Sequence, residues 1–195
     1  MISPFSYINN IFRNRSLTIF LFFLSINLFF FSGHFGGDAI WNYYTAESLF
    51  LDGNLNLADS AEEKDVKGLK DGFKELSDGI KRDAEIYGNV YSKYGLGNVL
   101  VGTLFYGIGL LFLKVFPFLP RDYFLIFVFA LQNIFIVSLS ALVFYKLITH
   151  FLDDKKISLF LTIGFSFGTI IFPYALKSGF GEPLALLVIL SGFYF

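Results

Sequence analysis

The chain contains no cysteine and only two histidines among its 195 residues. Without cysteine it forms no disulfide, carries out no thiol chemistry and offers no thiolate to a metal. The histidines, His34 and His150, are too few and too far apart for a histidine-based metal motif. These absences exclude thiol-dependent chemistry and histidine-based metal chemistry.

Charge is also scarce. Charged residues make up 16% of the chain, whereas a soluble domain carries about 25%. The formal net charge of −1 leaves no basic surface for nucleic acid, so we expect no nucleic-acid partner. Residues 34–95 hold 12 of the 16 acidic residues. A bilayer excludes charge from spans and tolerates it in loops, so this pattern predicts an integral membrane protein.

Apolar residues, 55% of the chain, are concentrated in five segments: 16–33, 96–116, 123–149, 157–176 and 183–195. A helical span needs roughly 20 apolar residues. We therefore expect an all-α fold, a polytopic bundle of transmembrane helices with a large helical outer loop at 34–95. The first segment runs through phenylalanines into Ser32-Gly33 without a small-x-small cleavage site, which favours a retained span over a signal peptide.

The last apolar segment is cut off at Phe195 with no polar tail or helix stop. We therefore expect residues 1–195 to be the N-terminal part of a longer protein. Later helices and a domain that selects the acceptor would then be missing, and we expect no activity from this part alone.

Lysine and arginine placement predicts orientation. Arg13 and Arg15 put the N-terminus in the cytoplasm and the loop at 34–95 outside. The pair Lys155-Lys156 falls inside only if segment 96–116 re-enters or lies at the interface. Glycines within 96–116 weaken a straight helix, and Pro117 and Pro120 end it, which favours the re-entrant reading. The alternative, in which 96–116 spans, stays open.

The outer loop contains two kinds of predicted helix. Residues 38–51 carry aromatic and apolar side chains at helical spacing, with Asp38 as the expected N-cap. Residues 61–86 predict one or two charged amphipathic helices. Their apolar stripe consists of Val66, Leu69, Phe73, Leu76 and Ile80.

Three stretches combine charged residues with the predicted membrane face. Asp38 is a helix cap, a general base or a metal ligand. Lys93, between Tyr91 and a run of glycines, either snorkels to water or holds a lipid phosphate. Lys177 and Glu182 lie in an otherwise neutral turn, where charged groups are functional candidates, and the dipole of the helix starting at Pro183 favours the carboxylate.

Together these stretches resemble the GT-C superfamily of membrane glycosyltransferases, in particular its bacterial family 39-like members. GGDAIWNYYTAESLFLDGNLNL at 36–57 looks like the family's first outer loop. YSKYGLGNVLVGTLFYGIG at 91–109 is similar to its entry into a partly embedded helix. FGTIIFPYALKSGFGEPLALL at 167–187 looks like its FGT-to-EPLA segment. The three motifs occur in the family's order and are distributed over most of the length of the chain.

The resemblance implies an enzyme of the cell envelope, in the plasma (inner) membrane. It would move a sugar from a polyprenyl-phosphate donor to an acceptor glycan, lipid or protein on the non-cytoplasmic face. Asp38 matches the family's catalytic base or metal ligand, so a divalent cation (Mg²⁺ or Mn²⁺) is a possible cofactor. Lys93 matches a donor-phosphate position, and Glu182, with Lys177 nearby, matches the sugar or acceptor site.

The resemblance also suggests that Tyr43, Tyr44 and Tyr91 stack on sugar or contact lipid headgroups. The sequence departs from the family in two ways. The family often has a second acid beside the loop aspartate, whereas Asp38 is flanked by glycine and alanine. The insert at 60–90 is longer and more charged than usual, and the resemblance gives it no function.

Two other classes of protein are compatible with the sequence. A transporter or channel subunit usually shows inverted repeats or charges inside broken helices, and neither is evident here. A non-catalytic scaffold whose charged loop binds a partner fits residues 61–86 but gives no reason for the turn that contains Lys177 and Glu182.

Single cysteines report sidedness without background in a chain that has none. We expect Asp38→Cys, Lys93→Cys and Glu182→Cys to react with a membrane-impermeant maleimide applied to intact cells. Lys155→Cys should react only after permeabilisation. Labelling of positions 38 and 182 from opposite sides would contradict the single outer face that a transferase requires.

Overall fold

The computed structural model describes residues 15–33, 35, 37–60, 70–176 and 181–195. Over these residues the chain is helical and has no strand, which confirms the predicted all-α class. The described ranges contain nine helices: α1 (Arg15–Phe29), α2 (Asp38–Leu51), α3 (Lys70–Tyr87), α4 (Leu96–Val115), α5 (Arg121–Ala130), α6 (Gln132–Phe151), α7 (Lys155–Phe167), α8 (Ile171–Leu176) and α9 (Glu182–Tyr194).

Within the described ranges, two helical stretches are long and apolar enough to cross a membrane. One is α4, with 20 residues; the other is the 31-residue stretch Arg121–Phe151, in which only Leu131 separates α5 from α6. Helices α1 and α9 are apolar but have only 15 and 13 residues. At about 1.5 Å per residue they are shorter than the roughly 30 Å hydrocarbon layer. The complete polytopic bundle stays a prediction.

The described residues divide into two compact units. The first contains α1, α7, α8, α9 and the part of α6 from Ile134 onward. Its core consists of Ile19, Phe23, Ala141 and Tyr145, with Leu142, Ile163 and Phe167 packed against it. Aromatic pairing adds to this core, because the rings of Phe144 and Phe165 stack with centroids 4.0 Å apart.

Several polar side chains in the first unit are bonded within their own apolar helices or to a neighbouring helix. Ser138 and Thr162 each donate to the carbonyl four residues earlier, at 2.7 Å. The amide of Asn27 donates to the hydroxyl of Ser138 at 3.0 Å, with both side chains buried. Asp154 caps α7 by accepting from two backbone N–H groups. Such internal bonding suits helices in an apolar medium, where water is not available as a partner.

The second unit contains α2, α3, α4 and α5, and its core is aromatic. Phe35, Tyr43, Phe73 and Phe129 are at most 2% exposed. Their ring centroids lie 5.3–6.1 Å apart, within the range of favourable edge-to-face and stacked contacts. Phe73 brings α3 onto this cluster, and with buried Ile80 and half-buried Leu76 it confirms the described part of the predicted apolar stripe. Val66 and Leu69 lie outside the described residues.

Helix α4 is continuous through all of its glycines. An ideal Cβ on Gly102 would lie 2.4 Å from the ring of Phe129, and one on Gly107 would lie 2.6 Å from the ring of Phe50. The glycines therefore do not interrupt the helix; they allow α5 and α2 to approach it closely. The helix ends at Val115, just before Pro117, as predicted. Whether α4 spans or re-enters stays a prediction.

Gly102→Ala should destabilise the second unit, because Phe129 is fully buried and has no room to move. We expect a loss of about 1–3 kcal/mol in the free energy of unfolding. The matched control is Gly164→Ala in α7, where a Cβ meets nothing within 4 Å. That variant should gain about 0.5–1 kcal/mol from lower backbone entropy. Thermal unfolding in detergent measures both, and equal shifts would contradict the close packing at Gly102.

Candidate functional site

Asp38 is the first residue of α2, and the N-cap position belongs to Gly37. The prediction that Asp38 caps this helix is therefore wrong. Gly37 has a φ of +55°, a left-handed conformation that favours glycine, and no side chain caps the helix. The carboxylate of Asp38, partly exposed, is free of a capping role and bonds instead to the segment before α4.

That bond comes from Tyr94, whose hydroxyl donates to Oδ1 of Asp38. Lys93, the neighbouring residue, holds its ammonium 5.2 Å from the centroid of the Tyr94 ring, close enough for a cation–π contact. The backbone N–H of Tyr94 donates to the hydroxyl of Ser92 at 3.2 Å, which fixes the turn. Two of the three residues predicted to act at the outer face, Asp38 and Lys93, are thus brought together through Tyr94.

The start of α4 adds positive electrostatic character to this group. Gly95 is the N-cap and provides no side-chain hydrogen bond, and Gly95, Leu96 and Gly97 are all exposed. The first N–H groups of a helix carry a partial positive charge that favours an anion. A carboxylate, an ammonium group and a helix N-terminus therefore lie together. We call Asp38, Lys93 and Tyr94 the Asp38 group.

The pKa of Tyr94, one member of the Asp38 group, is raised. The hydrogen bond to Asp38 raises the pKa of the Tyr94 hydroxyl above its ordinary value of 10.0, and burial adds a smaller rise. The Lys93 ammonium acts in the opposite direction. Tyr94 therefore stays protonated at neutral pH and holds one oxygen of Asp38.

The tyrosines predicted to contact sugar or headgroups lie in different environments. Tyr91 is 61% exposed, next to the Asp38 group in sequence. Tyr43 and Tyr44 are 0% exposed and pack in the aromatic core of the second unit. Burial, followed by the charge of Glu47, raises the pKa of the Tyr43 hydroxyl well above its ordinary value. The structure gives these two rings a packing role, and their binding roles stay untested predictions.

A second polar contact joins the same two helices. Glu47, in the middle of α2, is only 4% exposed, and its Oε1 accepts a hydrogen bond of 2.8 Å from the hydroxyl of Tyr106 in α4. Sequence reasoning missed this pair. The available signal was an acidic residue inside an aromatic helix and a tyrosine inside a glycine-rich apolar one, since buried carboxylates require a donor.

Glu182 belongs to the other compact unit. It is the first residue of α9, where the helix dipole favours its carboxylate, as predicted. It borders an apolar cavity of about 470 Å³ whose other walls include Thr169, Tyr174 and Leu186. Lys177 lies outside the described residues. A shared site of Glu182 and Asp38 stays a prediction.

A divalent cation in proteins takes several oxygen ligands, usually with more than one carboxylate. Over the described residues, no group of three or more histidine or acidic side chains is arranged to hold a metal ion. At Asp38 the described neighbours are a phenol and an ammonium group, which do not fit such a donor set. Metal binding by Asp38 stays a prediction.

Comparisons of the chain with protein-family models, with curated proteins and with solved structures found no match. The Asp38 group and its surroundings in the second unit are therefore the observations that bear on function.

Replacing Asp38 should change the titration of Tyr94. In Asp38→Asn we expect the pKa of Tyr94 to fall towards 10.0, because the charged acceptor that stabilises the phenol is lost. A pKa that is higher in the folded than in the unfolded chain stabilises the fold fully below about pH 10, and this stabilisation is lost as pH rises through the raised value. Phenolate absorbance, with Tyr94→Phe subtracted, measures the shift; an unchanged titration would contradict the bond.

Proposed function

We propose that the chain is part of a membrane glycosyltransferase that moves a sugar from a polyprenyl-phosphate donor to an acceptor on the non-cytoplasmic face. The observation that carries the proposal is the Asp38 group. It combines a carboxylate, an ammonium group and an exposed helix N-terminus at one end of a membrane-length helix. Transfer from a phosphate requires one base and one positively charged site, and this group offers both.

In the proposed reaction the acceptor hydroxyl attacks the anomeric carbon of the donor sugar. The bond between that carbon and the phosphate oxygen breaks as the new glycosidic bond forms. The leaving phosphate departs with its negative charge, so it needs cationic stabilisation and no proton. Lys93 and the first N–H groups of α4 supply this stabilisation, and the proton of the acceptor goes to Asp38.

Tyr94 orients the base in this scheme. Its hydroxyl holds one carboxylate oxygen of Asp38, which restricts the rotation of the side chain. Tyr94 also lies under the Lys93 ammonium, so it connects the base and the phosphate-binding cation. We assign Tyr94 as a positioning residue, and Asp38 and Lys93 as the residues that touch substrate.

The proposal places the chain in the plasma (inner) membrane, with the N-terminus in the cytoplasm and the Asp38 group outside. Lipid contacts belong to the exposed apolar side chains of the two membrane-length helices, such as Leu100, Leu104 and Leu111 of α4. Glu182 and Lys177 are assigned to the sugar or acceptor side of the same reaction.

Asp38→Asn, made in the protein as the cell produces it, should lower transfer from a radiolabelled polyprenyl-phosphate sugar by at least about 100-fold. The amide keeps the shape of the side chain but accepts no proton. The matched control is Asp78→Asn, an exposed acid on α3, which should leave the rate unchanged. Retained transfer in Asp38→Asn, with normal membrane insertion, would remove Asp38 from the mechanism.

Lys93→Met should raise the KM for the donor and lower kcat, because both the bound and the leaving phosphate lose a positive partner. The matched control is Lys81→Met, an exposed lysine on α3. A normal KM and kcat in Lys93→Met would contradict a phosphate-binding role for this lysine.

A further inference from the structure

A cavity of about 470 Å³ lies between α2 and α3 in the second unit. Its volume is within the range of about 300–1,000 Å³ that is typical of small-molecule sites. Trp41 of α2 forms part of one wall, and α3 contributes Glu75, Arg82 and Asp83. We call this space the α2–α3 cavity. One of its walls, α3, belongs to the charged insert at 60–90, for which the family resemblance gives no function.

The walls of the α2–α3 cavity combine three chemical features. Trp41, partly exposed, provides an aromatic surface, and Ile40, Leu76 and Ile80 extend it with apolar groups. Carboxylates accept hydrogen bonds and the guanidinium donates them. The pair formed by Arg82 and Asp83 is loose, with Nε and Oδ1 3.9 Å apart, so both groups remain available to a ligand.

A carbohydrate matches this combination better than an ion or a purely apolar molecule does. The C–H face of a sugar ring is apolar and packs on an aromatic surface, while its hydroxyl groups need both donors and acceptors around the rim. A simple anion would be repelled by the two carboxylates, and an apolar chain would form no hydrogen bond with the three charged side chains. The lining therefore favours an uncharged, hydroxyl-rich ligand.

Two residues that line the α2–α3 cavity are close to Asp38 in the chain. Gly37 lines it, and Gly37 is bonded directly to Asp38. Trp41 follows Asp38 by three residues, which places it about one helical turn away. A ligand held against Trp41 would thus lie about one helical turn from Asp38, which does not itself line the cavity.

We propose that the α2–α3 cavity binds the carbohydrate part of the acceptor and presents one of its hydroxyl groups to Asp38. This inference rests on the proposed transferase function and names its acceptor class as a glycan. It also gives α3 a role, because α3 supplies the charged side chains that hold the acceptor hydroxyls.

Gly79 offers a way to close the cavity without disturbing the fold. It lines the α2–α3 cavity, and a Cβ added there meets no atom within 4 Å. A leucine at this position would fill free space and would also favour the helix, since glycine is the poorer helix former by up to about 1 kcal/mol. Gly79→Leu should therefore block a ligand while α3 stays folded.

Trp41 is the only tryptophan of the chain, so its fluorescence reports on this cavity without background. Mannotriose, cellotriose and chitotriose would be titrated separately into the purified chain in detergent. We expect at least one of them to give a saturable blue shift of the emission. In Gly79→Leu the apparent affinity should fall by at least about tenfold. Gly164→Leu, a helical glycine with free space in the other unit, should keep the wild-type response.

Two outcomes of this titration would overturn the proposal. No spectral change with any of the three sugars would reject carbohydrate binding, and an undiminished response in Gly79→Leu would place the sugar elsewhere.

Glu75→Gln provides a second test that adds no bulk and should weaken binding by at least about threefold. Asp78→Asn, at an exposed acid that does not line the cavity, should bind sugar normally. Sugar binding by the chain, with no transfer by the protein as the cell produces it, would reject the transferase function and leave the cavity assignment standing.

Discussion

The parallel packing of α2 against α4 is the interaction on which the candidate site depends. Gly107 allows Phe50 to lie against the backbone of α4, and the hydrogen bond between Glu47 and Tyr106 fixes how far one helix is shifted along the other. A one-turn shift of about 5.4 Å would break that bond and leave a buried carboxylate with one donor fewer. The same register brings the start of α2 to the segment before α4.

This arrangement separates support from chemistry. The buried pair and the aromatic cluster are inside the second unit, where they hold the helices but reach no solvent. The Asp38 group sits at the helix starts, where glycines leave the backbone exposed and charged side chains meet water. In the proposed transferase, Asp38 and Lys93 are thereby held by packing that takes no part in the reaction. Such rigid support is what transfer chemistry needs, since small misplacements of catalytic groups lower rates strongly.

The sequence predicted the helices better than the contacts. Hydrophobic spacing and turn residues located α2 at residues 38–51 and the end of α4 before Pro117, because these signals are local. The same local logic failed at Asp38, since a cap and a first helical residue look alike in sequence and the deciding partner, Tyr94, is 56 residues away. The resemblance suggested that Tyr43 contacts sugar or headgroups, whereas the structure buries it among aromatic residues of α3 and α5.

Some helix breaks and some contacts between helices could not be predicted from neighbouring residues in the sequence. The interruption at Leu131 falls inside an apolar run without proline or glycine, and the division between α7 and α8 follows only from Gly168 and its neighbours. Glu47 appeared as one of many acidic loop residues because its burial depends on α4. The α2–α3 cavity needs the docking of two helices joined by a long connection, which no residue pattern specifies.

Cross-linking in native membranes tests the α2–α4 register most directly. The chain has no cysteine, so only introduced pairs react. A short bifunctional thiol reagent should join cysteines in Asp38→Cys with Tyr94→Cys, and should not join those in Asp38→Cys with Leu104→Cys, where the second site lies about 15 Å farther along the helix. Equal cross-linking of both pairs, or cross-linking of the second pair alone, would contradict the account.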